Sequence, residues 1–309
     1  MYICFNQKNT NNILFDEIKK ATKFIIIHTL FFDDTGLDLN FISLLNSKII
    51  EHPEIYIEIK IGLNPFLQPK LEGLNNKIKV ILEEPRTIFF YVYHVRVFHT
   101  ENVFALGGID ITKENLDKNY HQFTLFLTNK KYFIINEINY FNNEICNLYD
   151  FVGNSKNSYK KLLECINSAK QEVFIDNQFL LFDDFVNELI EKKKKNPDVK
   201  IYILTNGEDS HNSLNKFETI LTKYVSLVSK NLYKNKLKNN NITLICSIKY
   251  THNKLCIVDK RYLLFGSMNL IARSIINNGD KEMSIFLENE ELCNTLLSYY
   301  ENTFHYETI

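Results

Sequence analysis

The chain reads as an α/β protein made of two similar halves, each a mixed, largely parallel sheet covered by helices. Three observations predict this. Segments with apolar residues at helical spacing alternate with short β-branched runs of strand length. That whole alternation occurs twice. Each half also carries a histidine, a basic residue two positions on, an acid five positions after that, and then a glycine pair or Gly-Ser.

The elements follow in order. Leu14, Ile18 and Ala21 mark one face of an amphipathic helix, and Ile25-Ile26-Ile27 follows as a buried strand. Pro53 to Ile61 alternates apolar and polar residues, as a strand does. His121-Gln122-Phe123-Thr124-Leu125-Phe126-Leu127 closes the half. Shifted by 148 positions, the opening pattern returns as Leu162, Ile166 and Ala169, then Val173-Phe174-Ile175. Pro197 to Leu204 repeats the second strand, and Lys281 to Leu287 repeats the closing one. The polar stretch Phe151 to Ser158 separates the halves, giving domains 1–150 and 151–309. Two such halves predict a pseudo-two-fold architecture with the functional site where they meet.

The chemistry concentrates in His252-Asn253-Lys254-Leu255-Cys256-Ile257-Val258-Asp259, followed after six residues by Gly266-Ser267-Met268-Asn269. His252 and Lys254, two apart on a strand, project from one face. One can attack or protonate a phosphoryl centre while the other neutralises its oxygens. Leu255, Ile257 and Val258 read as buried strand, and Gly266-Ser267 brings the next strand close. The first half holds a departing copy: His94, Arg96 and Glu101, then after five residues Gly107-Gly108-Ile109-Asp110. Arg96 stands where the second half has Lys254, and Glu101 where it has Asp259.

These residues match the HxKxxxxD…GSxN signature of the phospholipase D superfamily, and the chain resembles that family from about Leu14 to Leu287. Gly107-Gly108-Ile109-Asp110, Phe174-Ile175-Asp176-Asn177-Gln178-Phe179 and the stretch from Gly279 through Ile285 resemble its eukaryotic phospholipid-acting branch. The resemblance implies a phospholipase D-like fold and a metal-independent, two-step reaction. One histidine attacks phosphorus to form a phosphohistidine, and the other protonates the leaving alcohol and then activates water. On that reading His94, Arg96, His252, Lys254 and Glu282 are catalytic. Ser267, Asn269 and Asp110 contact substrate, and Asp259 and Glu101 tie their turns to nearby backbone. Glu282 occupies the position whose carboxylate, in relatives, orients the second-half histidine. The first-half equivalent is Gln122, a neutral amide, so His94 needs another acid for such support. That chemistry favours His252 as nucleophile, family habit favours the first half, and the assignment stays open.

At 309 residues, 45% of them hydrophobic and 24% charged, the composition is that of a soluble globular protein with a full core. A net charge of −1 gives no general attraction to nucleic acid or anionic membrane. The N-terminal residues lack a signal peptide pattern, and the apolar run Phe24 to Phe32 is too short to span a bilayer. Cys4, Cys146, Cys165, Cys246, Cys256 and Cys293 are scattered, which suits reduced, buried thiols of a cytoplasmic protein. No cofactor and no metal site is expected, and His99 beside Glu101 reads as a surface or turn residue.

Lys192 to Lys195 reads as a solvated helix end. The stretch from Phe217 to Lys238 reads as a helix packing Phe217, Ile220, Leu221, Tyr224, Leu227 and Val228 on its sheet, or as a basic lip resting on phospholipid. The expected partner is a phospholipid substrate at a membrane surface, for a cytoplasmic protein that is peripheral on membranes. A nuclease of the same fold and a non-catalytic binding protein with a decayed first motif are the alternatives; oligomeric state is not legible.

Overall fold

The computed structural model describes residues 1–30, 32–33, 37–63, 69–84, 93–112, 120–128, 149–152, 155–207, 210, 216–275, 280–303 and 306–308. The elements run β1 (Tyr2–Cys4), α1 (Gln7–Lys20), β2 (Phe24–Thr29), α2 (Phe41–Glu51), β3 (Tyr56–Gly62), β4 (Lys79–Glu83), β5 (Val97–Thr100), β6 (Phe104–Gly107), β7 (Tyr120–His121), β8 (Thr124–Leu127) and β9 (Tyr149–Val152). Then come α3 (Ser155–Ser168), β10 (Glu172–Asn177), β11 (Leu180–Leu181), α4 (Asp183–Lys195), β12 (Lys200–Asn206), α5 (Lys216–Lys238) and β13 (Thr243–Ser247). The chain continues through β14 (Tyr250–Thr251), β15 (Lys254–Val258), β16 (Tyr262–Gly266), β17 (Leu270–Ile271), α6 (Ala272–Ile275), β18 (Ser284–Glu288), α7 (Glu290–Thr303) and β19 (Tyr306–Thr308).

The chain folds as two compact units. The first comprises Met1–Lys118, Gln122–Ile145 and Asn278–Glu282, and the second Asn119–His121, Cys146–Asn277 and Met283–Ile309. The first holds a sheet of order β1-β8-β6-β5-β2-β3-β4. Leu14 and Ile18 of α1 and Phe41, Leu45 and Ile49 of α2 bury their apolar stripes on Ile25, Ile27, Ile57 and Ile59. Both helices start at asparagine caps: Asn6 accepts from the Asn9 N–H, and Asn40 from that of Ser43. The second unit has a sheet of order β19-β13-β12-β10-β15-β16-β18-β9. Its core joins Leu162 and Ile166 of α3, Phe185 and Leu189 of α4, and Tyr233 and Leu237 of α5 to Val173, Ile175, Ile201 and Ile203.

Both sheets are mixed, as expected, but antiparallel pairing outweighs parallel. Within these two sheets the parallel neighbours are β2-β3-β4 and β10-β12-β13, and the two-stranded pairs β11–β17 and β7–β14 are parallel as well. The reason lies in the motifs: β5–β6 and β15–β16 are joined by tight turns, and a tight turn links only antiparallel strands.

Three local expectations are corrected. His99 is buried on β5 between the rings of Phe24 and Phe104, and burial pushes its pKa down to about 3. Lys192 is not solvated; its ammonium donates to the carbonyls of Asn167 and Ala169 at 2.8 and 2.7 Å, capping the end of α3. On α5 the core contact is made by Tyr233 and Leu237, while Tyr224, Leu227 and Leu232 are exposed. The side chains of Phe217, Ile220 and Leu221 lie outside the described residues, as do Cys146 and Gly279. No helix among the described residues is long and apolar enough to cross a membrane.

Candidate active site

The second motif sits where β14 gives way to β15. His252 and Lys254 are both buried, at 8% and 6% exposure, and β15 then runs through five buried residues in register against β10 and β16. The Lys254 ammonium donates to the His252 carbonyl at 2.8 Å and to Gln178 Oε1 at 3.2 Å. Gln178 in turn donates to the Tyr250 hydroxyl, and the Tyr250 and His252 rings stack. The lysine is thus fixed beside its histidine by polar groups just past the ends of β10 and β14.

Asp259 closes the turn after β15. Both it and Lys260 have left-handed backbone, with φ of 51° and 56°. The carboxylate accepts the N–H groups of Lys170, Gln171 and Glu172 at 2.8 to 2.9 Å, which pins the start of β10 to the end of β15. Gly266 ends β16 where β18 crosses close: a β-carbon there would stand 2.3 Å from the Met283 carbonyl oxygen. Ser267 uses this proximity, accepting from the Met283 N–H at 3.0 Å and donating to its carbonyl at 3.3 Å. Ser267 ties the two backbones together, because Gly266 brings the peptide of Met283 within reach. Asn269 is buried, and its Oδ1 has no hydrogen-bond partner among the described residues.

The first unit repeats these devices. Glu101 accepts from the N–H groups of Thr22, Lys23 and Phe24 and from the Thr22 hydroxyl, pinning β2 to the end of β5. Burial raises the Glu101 pKa, but these donors outweigh it and the net shift is downward. Thr29 donates to the Ile109 carbonyl at 2.6 Å and to Asp110 Oδ1 at 3.2 Å. Asn177, 148 positions on, grips the corresponding loop through the Met268 carbonyl and the Leu270 N–H, each at 3.1 Å.

Two features of this motif depart from expectation. Arg96, read as a phosphate-holding cation, forms a buried ion pair at 3.1 Å with Asp110, read as a substrate contact. The second unit has a lysine and a neutral asparagine at those places; an acid at the second position gives the longer, forked guanidinium an internal partner. Second, Glu282 meets the histidine of the first motif. Its carboxylate lies 3.0 and 3.1 Å from Nδ1 of His94, and the His94 N–H donates to the Lys281 carbonyl at 2.9 Å. Segment 278–282 therefore belongs with the first unit, and the acid that His94 lacked at Gln122 comes from there.

One group went unassigned in the sequence. Asp176 is fully buried and accepts from Thr251, Asn253 and Tyr300. Burial raises its pKa to about 6, against the opposing pull of those donors. Its place just before Asn177-Gln178 was the available signal; Tyr300, on the last helix, offered none. Among the described residues no group of three His, Cys, Asp or Glu could hold a metal ion.

Residues 162–305, which include the whole second motif, match the family model described as cardiolipin synthase, PLD-like domain. No curated protein matches the chain in sequence. Among solved structures, a phosphatidylserine synthase from Haemophilus influenzae aligns with a TM-score of 0.73 at 13% identity, over 99% of this chain and 87% of its own. A polyphosphate kinase from Porphyromonas gingivalis aligns with a TM-score of 0.62 at 10% identity, over 97% of this chain and 46% of its own. At such identities the likeness is one of fold.

Proposed function

We propose that the chain is a member of the phospholipase D superfamily and a phospholipase D-like enzyme that hydrolyses glycerophospholipids, such as phosphatidylcholine, to phosphatidic acid. The observation that carries this reading is the His94–Glu282 pair. A carboxylate at Nδ1 holds the imidazole in one tautomer, so that Nε2 keeps its lone pair and gains basicity. That is the state a nucleophile needs.

In the first step His94 Nε2 forms a bond to phosphorus as the phosphorus–oxygen bond to the leaving alcohol breaks. His252, entering as imidazolium, gives its proton to the departing oxygen. In the second step neutral His252 takes a proton from water, the water oxygen bonds to phosphorus, and the phosphorus–nitrogen bond breaks. Phosphatidic acid leaves and both imidazoles are restored. Lys254 supplies positive charge toward the phosphoryl oxygens, while Arg96 is balanced by Asp110. The choice of phospholipid over nucleic acid rests on the short GGID-like and DNQF resemblances and on the net charge of −1. The protein would work from the cytoplasm at a membrane surface.

The test is phosphatidic acid release from mixed phospholipid vesicles, with and without a primary alcohol, for the native protein, His94→Asn and His252→Asn. Product should form with the native protein, drop to a small residue with either variant, and become phosphatidyl-alcohol when alcohol is present. Native activity no higher than either variant's removes the phospholipase reading. Cleavage of single-stranded DNA or RNA by the same preparation would make the protein a nuclease. The closed Arg96–Asp110 pair favours one further reading, a binding protein whose first motif no longer turns over; vesicle uptake without product would select it.

A further inference from the structure

We propose that Asp176 is the positioning residue of the second motif, holding His252 in place through the two residues that flank it. Its carboxylate accepts the Thr251 hydroxyl at 3.0 and 2.9 Å and Asn253 Nδ2 at 3.0 Å, so one side chain grips the chain immediately before and immediately after the histidine. The Tyr300 hydroxyl of α7 donates to the same oxygen as Asn253. Asn206 completes the frame: its side chain accepts the Thr251 N–H at 2.8 Å and donates to the Thr251 carbonyl at 2.9 Å. Residue 251 is thus fixed at both backbone and side chain, and residue 253 at its side chain.

A fully buried carboxylate is costly, and an apolar residue of similar size is generally the more stable choice. Two of the three side chains that donate to Asp176 border His252; the third, Tyr300, donates to the oxygen that Asn253 shares and lies 3.4 Å from the Asn253 amide nitrogen. The first unit has the same device in different chemistry. His28, 148 positions before Asp176, is buried and its Nδ1 lies 2.7 Å from the hydroxyl of Tyr93, the residue that precedes His94. In both repeats, then, one strand position holds the residue just ahead of the motif histidine.

The kinetic part of the test rests on the phosphodiesterase reading; the spectroscopic part does not. The full chain is compared with Asp176→Asn and Tyr300→Phe, each checked for folding by near-ultraviolet circular dichroism. The ring nitrogens of His252 are followed by NMR and assigned with His252→Asn. Expected are altered or broadened His252 ring signals in Asp176→Asn, a smaller change of the same kind in Tyr300→Phe, and kcat lower by about ten- to a hundred-fold at little-changed KM. Where Asp176→Asn does not fold, Tyr300→Phe carries the decision. Folded variants with native His252 signals overturn the proposal whatever their activity. Changed signals in a protein with no diesterase activity would uphold the positioning role and dismiss the phosphodiesterase.

Discussion

Removing the charge of Glu282 while keeping its size isolates what it does for His94. Glu282→Gln should lower kcat by roughly ten- to a hundred-fold, and His94→Asn should lower it further, to a small measurable residue. Because the two act as one unit, adding Glu282→Gln to His94→Asn should cost nothing more. Additive losses in that cycle would mean that the carboxylate works elsewhere. Asp176 can be read through stability as well. Its pKa rises from the ordinary 3.8 to about 6 on folding, so its stabilising contribution is complete below the unfolded value and lost as pH rises through about 6. Acidification from pH 7 to 5 should therefore return roughly 1 kcal/mol through this group. Urea unfolding of native protein and Asp176→Asn at both pH values checks it: the variant should lack that increment.

The strand pairs that carry the motifs are held at their turns, and the acids there act on backbone rather than on substrate. Asp259→Ala releases three N–H groups at the start of β10 and should lower stability by about 1–3 kcal/mol in urea unfolding. Asp259→Asn, which keeps an acceptor, should cost less. The role of these acids was legible because an acid at a fixed distance past a buried strand has one obvious use, to close the turn. The helices and strands around Leu14, Ile25, Leu162 and Val173 were legible for the same kind of reason, since periodicity is local. The weight of parallel pairing was not, because pairing is settled by which distant strands meet. Nor was the burial of His99 or of Lys192, whose neighbours Phe104 and Ala169 are brought close only by the fold.

Among the described residues, Cys4, Cys165, Cys246, Cys256 and Cys293 are buried and form no disulfide. Burial raises the thiol pKa to about 11 at Cys165 and about 12 at Cys293, which suppresses the reactive thiolate. Titration with a thiol reagent should leave these five silent in native protein and reveal them together on unfolding; fast labelling of Cys165 or Cys293 in the folded state would contradict the packing. The partner of His94 was the site feature hardest to read from sequence, because repeat logic matches Glu282 to Gln122 and so looks to the second-half imidazole. The segment Asn278–Glu282, placed late in the chain and folded with the first unit, has a further consequence. The repeats are not interchangeable modules. A chimaera that joins residues 1–150 to the second half of a relative inherits a foreign acid for its own His94. Crossover points that carry positions 278–282 along with the first half should therefore give active recombinants more often than a single junction at the repeat boundary.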